Sequence, residues 1–230
     1  MADVSLTWLG HGSFRLDSPG GERIYIDPWL TNPKCPDSEK EPERIDVIAL
    51  THGHGDHVGE TVALSKQFKP EIVAQLELKG WLRGQGAEVD EIPGPNKGGT
   101  VEAGGVKFTV VNAFHSSSTE DGAYLGEAAG LVLEFDNGTS IYFAGDTCVF
   151  GDMQLIGRIY SPDLAVLPIG GHFTMDPREA AVALELIGAK RCVPCHYGTF
   201  PLLAGTPDGL RERAAGVDVI ALEPGETTAV

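Results

Sequence analysis

Thr51-His52-Gly53-His54-Gly55-Asp56-His57 sets three imidazoles and one carboxylate directly after the apolar run 46–51. Side chains of an extended chain alternate with period two, so His52 and His54 point the same way. A turn at Gly55 then lets Asp56 and His57 swing toward a second point nearby. Imidazole nitrogens and a carboxylate are borderline ligands suited to Zn, Fe, Mn or Ni, and no bulky residue in the run blocks their approach. The plainer alternative is a His-rich surface turn without metal. The flanking glycines and the apolar strand before the run favour the ligand reading.

The elements that must position these groups are read from periodicity and breakers. Short apolar runs bounded by Gly, Pro and Asp predict strands at 4–9, 13–16, 23–26, 46–51 and 72–74, then at 106–112, 131–135, 140–144, 164–168, 191–194 and 217–221. Helical spacing covers 59–68, 76–83, 177–187 and 207–214, the third with Asp176 as N-cap and Pro177 in its first turn. Intermixed strands and helices predict an α/β fold with sheets covered by helices. Stretches 34–44 and 116–130 read as surface loops, the second starting directly after His115. Gly94-Pro-Asn-Lys-Gly-Gly99 is a turn, since no helix follows it to cradle a phosphate. No linker divides the chain, so residues 1–230 are read as one domain.

The two halves share a layout. One strand ends in Asp27 and its counterpart in Asp146; an apolar strand then leads from Asp46 to His52, and from Asp163 to His172. Each half next runs through helical sequence to a later strand closed by a histidine, His115 or His196. A duplicated half sets all six of these site candidates at the carboxyl ends of strands, where α/β folds place ligands.

Composition narrows the function classes. With 17 Lys+Arg against 33 Asp+Glu the formal charge is −16, which opposes a long nucleic-acid footprint. A hydrophobic content of 42% with 22% charged residues is globular and excludes intrinsic disorder. No apolar run is long enough to span a membrane and no basic leader precedes one, so the expected protein is soluble and cytoplasmic. Cys192 and Cys195 form a CxxC pair inside an apolar strand, with no second pair to complete a zinc site; they are read as buried small hydrophobes.

The His52, His54, Asp56, His57 run resembles the HxHxDH motif of the metallo-β-lactamase superfamily. The other pieces follow in that superfamily's order: His115 after a strand, Asp146 in Tyr-Phe-Ala-Gly-Asp-Thr, and His196 in Cys-His-Tyr-Gly-Thr-Phe-Pro. Trp8-Leu-Gly-His11, Ile26-Asp-Pro-Trp-Leu-Thr, His115-Ser-Ser and Phe173-Thr-Met look more narrowly like its metal-dependent hydrolase subgroup. That subgroup lies near the ascorbate-6-phosphate lactonase and N-acylphosphatidylethanolamine phospholipase D branches. The resemblance implies a four-layer αββα sandwich with two pseudo-symmetric halves. It also implies that His52, His54 and His115 hold one divalent ion, that Asp56, His57 and His196 hold a second, and that Asp146 bridges them. Each ion would keep a position open for water. Zinc is the first choice, with manganese, nickel and iron as alternatives.

Asp56 is read as a catalytic carboxylate as well as a ligand. His172 is the second catalytic candidate: the subgroup usually carries an Asp-Asn pair where this chain has Gly171-His172, and an imidazole there can donate to a leaving group or bind an oxyanion. His11 is open between hydrogen-bonding a ligand and a structural turn, and Asp27 between bracing a ligating imidazole and an ordinary turn start. The expected activity is metal-dependent hydrolysis of an ester, lactone or phosphodiester of a small molecule, anionic substrates included. Competing readings are redox chemistry at a mono- or di-iron site of the same fold and a non-catalytic, metal-bound binding module. Homo-oligomerisation is left open.

Overall fold

A computed structural model describes residues 3–230. Strand β1 (Ser5–Trp8) opens an antiparallel meander through β2 (Phe14–Asp17) to β3 (Arg23–Ile26), which pairs in parallel with β4 (Val47–Ala49), as β4 does with β5 (Glu71–Val73). Helices α1 (Gly55–Val58) and α2 (Thr61–Phe68) connect β4 to β5, and α3 (Leu76–Gly84) leads away from β5. After β6 (Thr100–Ala103) the plan repeats. An antiparallel meander runs through β7 (Val106–Asn112), β8 (Ala129–Glu134) and β9 (Ser140–Phe143). Parallel pairing continues to β10 (Leu164–Pro168), β11 (Arg191–Cys195) and β12 (Asp218–Val219). Helices α4 (Met153–Tyr160), α5 (Pro177–Ile187) and α6 (Pro207–Arg211) make these crossovers. The last strand, β13 (Thr227–Ala229), returns to pair with β1, giving sheet orders β13-β1-β2-β3-β4-β5 and β12-β11-β10-β9-β8-β7-β6.

Period-two alternation sorts the side chains into layers. Ile24 and Ile26 face the second sheet while Tyr25, between them, faces the helices; Val110 and Val111 divide in the same way. One cluster joins the sheets through Trp8, Phe14 and Ile26 against Phe108, Leu131 and Phe143. Outside it, Leu64, Leu78 and Leu82 cover the first sheet, and Met153, Ala180 and Leu184 cover the second. The order is therefore helix, sheet, sheet, helix. Every residue of β4, β9 and β10 is buried, as strands covered on both faces require. Among the described residues no helix is long and apolar enough to cross a membrane.

The halves repeat in hydrogen bonds as well as in strand order. The Asp46 carboxylate accepts from Arg23 N at 2.7 Å, and the Asp163 carboxylate accepts from Ser140 N at 2.9 Å, each tying the start of a parallel strand to its neighbour. The topology corrects one pairing of the sequence repeat. His115 follows β7, the counterpart of β1 and so of His11; His196 follows β11, the counterpart of β5, which is followed by Ala74-Gln75.

Helix α5 forms as its flanks dictate. Asp176 accepts a hydrogen bond from Glu179 N at 2.9 Å, Pro177 occupies the first turn, and Gly188 closes the helix at φ +76°. Asp176→Ala is expected to cost about 1 kcal/mol, a fall of roughly 2–4 °C in Tm on thermal unfolding. The pattern did not announce α4, whose Asp152 N-cap makes no side-chain cap bond and whose centre holds Gly157. That glycine is there for space: a Cβ would lie 2.0 Å from Ile187 O, so its absence lets α4 reach the end of α5. The short edge strands β6 and β13 carry exposed positions and also escaped the pattern. The helix expected over 59–68 is α2, starting at Thr61, and the turn expected at Gly55 is the short helix α1, closed at Gly59, φ +47°.

Candidate metal centre

The candidate residues leave the sandwich at one edge. His11 follows β1, Asp27 follows β3, residues 51–57 run from the end of β4 into α1, His115 follows β7, Asp146 follows β9 and His196 follows β11. His54 is the N-cap of α1, so Asp56 and His57 sit in a helical first turn. Gly53 leaves room for Leu125 against the turn, since a Cβ would lie 2.4 Å from Leu125 Cδ1.

Two ligand sets form at the cavity, and Asp27, His52 and His57 make a third, fully buried group behind them. Potential ligand atoms of His52, His54 and His115 all lie within 4.8 Å of one another, as do those of Asp56, His57 and His196 together with His11. His52 Nε2 and His54 Nδ1 converge to 3.0 Å. The Asp146 carboxylate stands between the sets: Oδ1 is 3.4 Å from His57 Nε2, and Oδ2 is 3.2 Å from His196 Nε2 and 3.6 Å from His115 Nε2. His57 Nε2 and both ring nitrogens of His196 are buried without a hydrogen-bond partner among the described residues. Buried polar atoms are costly unless satisfied, so these orphaned nitrogens facing carboxylates fit a cation. Nitrogen and oxygen donors in these numbers suit zinc and its first-row neighbours.

A hydrogen-bond relay fixes the imidazoles from behind. Asp27 Oδ2 accepts from His57 Nδ1–H at 2.7 Å and from Thr51 Oγ1–H at 2.6 Å, while Oδ1 accepts from Thr51 N at 2.8 Å. Thr51 Oγ1 in turn accepts from His52 Nδ1–H at 3.0 Å. One buried carboxylate thus sets the tautomer of a histidine in each set, leaving both Nε2 atoms free to ligate. His11 is fully buried; its Nε2–H donates to Asp56 Oδ2 at 2.9 Å and its Nδ1 meets Thr199 Oγ1 at 2.9 Å. His11, Asp27 and His196 adopt left-handed backbone at φ +52°, +47° and +54°. Non-glycine residues held there mark sites where surrounding structure dictates an unfavourable conformation.

Electrostatics divide the histidines. Burial lowers the pKa of His52, His54 and His115, favouring the neutral, ligating ring. Burial opposes the charge on His57 and His196 too, but Asp146 outweighs it, holding His57 well above its ordinary value with help from Asp27, and His196 at about 9. Against the same burial, His196 and His57 hold Asp146 low, and the hydrogen bond from His11 with the nearby His196 ring at 3.8 Å holds Asp56 low. Burial brings His11 down to about 4, so it is neutral and donates through Nε2.

The structure therefore brings together His52, His54, Asp56, His57, His115, Asp146 and His196, with His11 and Asp27 supporting them. His172 is not among them. Gly171 and His172 lie at φ +72° and +60°, and the exposed imidazole packs edge-on to Phe173 at 4.5 Å. It lines a separate cavity with Asp176, Arg178 and Leu202, not the ≈ 360 Å³ cavity over the centre, which is lined by His54, Asp56, His115, Ser116, Asp146, Phe173 and His196. Cys192 packs in the outer cluster and Cys195 between the sheets, and burial raises both thiols. Strand alternation puts His196 on the Cys192 face; its left-handed backbone breaks the alternation and brings the ring to Asp146. Sequence reasoning missed Thr51 as a relay and Thr199 as the partner of His11. The only local signal was a hydroxyl beside a ligand motif.

Residues 22–197 match the family described as Beta-lactamase superfamily domain. A UPF0173 metal-dependent hydrolase of Herpetosiphon aurantiacus is 48% identical over 235 residues, covering 98% of this chain and 98% of its own length. Another so described, from Roseiflexus castenholzii, is 49% identical over 236 residues, covering 98% and 97%. Among solved structures, Igni18, a novel metallo hydrolase from Ignicoccus hospitalis, superposes with a TM-score of 0.88 at 33% identity over 100% of this chain and 99% of its own. With one family match spanning most of the sandwich and full-length relatives near half identity, the chain belongs to the metallo-β-lactamase superfamily, among the UPF0173 metal-dependent hydrolases.

Proposed function

We propose that the chain is a hydrolase with a dinuclear centre, acting on an ester, lactone or phosphodiester of a small molecule. The observation that carries this reading is Asp146, whose carboxylate lies within 3.2–3.6 Å of ring nitrogens from both histidine sets. His52, His54 and His115 would hold one ion, Asp56, His57 and His196 the other, with Asp146 shared; zinc is the first choice. Ions bound there supply a water nucleophile usable near neutral pH and a Lewis acid for the substrate oxygen.

The chain's own residues then orient the ligands and the water. Asp27 and Thr51 keep the His52 and His57 rings aimed, and His11 holds one Asp56 oxygen. Asp56 would orient the attacking water by accepting a hydrogen bond from it, because its side chain is 33% exposed while those of Asp146 and Asp27 are 4% and 2%. His172 is assigned no step. His172→Ala is expected to keep its metal and to change kcat by less than about twofold; a loss of about 10²-fold, the effect of a general acid, would reinstate it.

The test pairs metal analysis of the purified protein with an ester, lactone and phosphodiester panel. Two equivalents of metal with turnover of one class support the reading. Iron with oxygen consumption, or full metal with no turnover in any class, would sink it.

A further inference from the structure

Exposed aromatic rings stand near the metal cavity, and neither Lys nor Arg is among the residues that line it. Among the described residues three phenylalanines are markedly exposed, Phe114 at 55%, Phe173 at 52% and Phe200 at 40%. Phe173 lines the cavity. Phe114 precedes His115, its ring 5.1 Å from that of Phe150. The Phe200 ring lies 5.8 Å from that of His11 and 6.2 Å from that of Trp29. These rings rise from the loops after β7, β10 and β11, with Trp29 added from the loop after β3. Uncovered aromatic surface around a cavity forfeits transfer free energy that a ligand can recover. No Lys or Arg lines that cavity, and Asp56 and Asp146 do. A negative charge at the far end of a bound arm would be desolvated against phenyl rings, with no Lys or Arg in the cavity lining to pair with it.

We infer that the substrate carries an apolar acyl or aryl arm beside the bond that is cut, with no negative charge on that arm. This rests on the hydrolase reading above and narrows it. Phe173 and Phe200 would cover the arm while the scissile group sits among the ligand sets.

The test uses metal-loaded protein and straight-chain hydroxamic acids, whose head group binds divalent metals whether or not the protein turns anything over. By calorimetry, Kd is expected to fall about threefold per added methylene from acetohydroxamate to octanohydroxamate. The monohydroxamate of suberic acid, of equal length but ending in a carboxylate, should bind at least about tenfold more weakly than octanohydroxamate. Phe173→Ser and Phe200→Ser, singly and together, should shrink the affinity gap between the shortest and longest probes, by about tenfold in the double variant. Ile159→Ser, on the outer face of α4, should leave the gap unchanged.

A flat series with acetohydroxamate bound would overturn the apolar arm and leave the hydrolase reading standing. Tighter binding of the carboxylate-ended probe would overturn the uncharged arm. Failure of acetohydroxamate to bind protein shown to carry two metals would remove the open metal positions, and the hydrolase reading and this inference would fall together. The wild-type series decides even if a variant misfolds.

Discussion

Asp146→Ala is expected to lose at least one of the two metals and to lower kcat/KM by about 10⁴-fold, roughly 5 kcal/mol of transition-state stabilisation. The size follows from position. Asp146 is the carboxylate that reaches His57, His115 and His196 alike, with contacts of 3.4, 3.6 and 3.2 Å, and its side chain is 4% exposed. Removing it leaves three imidazoles around a site with no shared anion, so two cations would face each other without screening. Water cannot substitute fully, because the site is buried and its geometry is held by the strand end after β9. Metal content by mass spectrometry and turnover on the best substrate check the prediction together. Full stoichiometry in the variant would remove Asp146 from its shared position.

The second large effect is at Asp27, which touches no predicted metal position. Asp27→Asn is expected to weaken both ions by about 10- to 100-fold, the range for losing a carboxylate behind a ligating imidazole. Asn is the chosen replacement because it tolerates the left-handed backbone at φ +47°, so the loss reports on charge and hydrogen bonding more than on strain. Thr51→Val separates the two arms of the relay. It cuts the path to His52 and leaves the direct bond from His57, so only the set containing His52 should weaken. A two-step metal titration reads the difference. Equal weakening of both sets by Thr51→Val, or no weakening by Asp27→Asn, would overturn the relay.

The clustering of the His52–His57 run was legible in the sequence because its geometry is local: a strand end, two glycines and a four-residue helix bring four candidate ligands together. Strands β3, β7 and β10 and helix α5 were legible for the same reason, each having its own periodicity and breakers. What escaped depends on partners remote in sequence. Asp27 and His57 are 30 residues apart and His11 and Asp56 are 45 apart, so neither contact leaves a pattern in any short window. His172 runs the other way. Its place after an apolar strand suggested a role in the site, but the left-handed pair Gly171-His172 delivers the neighbouring Phe173 to the cavity instead. Helix α4 was lost because Gly157, which reads as a breaker, serves the close approach to α5.

The repeated halves of the sandwich make the centre a clasp. Neither half owns a complete ligand set: His52 and His54 need His115, Asp56 and His57 need His196, and Asp146 comes from the second half alone. Metal bound by these sets would therefore spend its binding free energy across the seam between the two sheets, and it would appear as resistance of the whole domain to coming apart. Chelation would act on this protein as a cut crosslink does, loosening two sheets that otherwise share an apolar interface and the single returning strand β13.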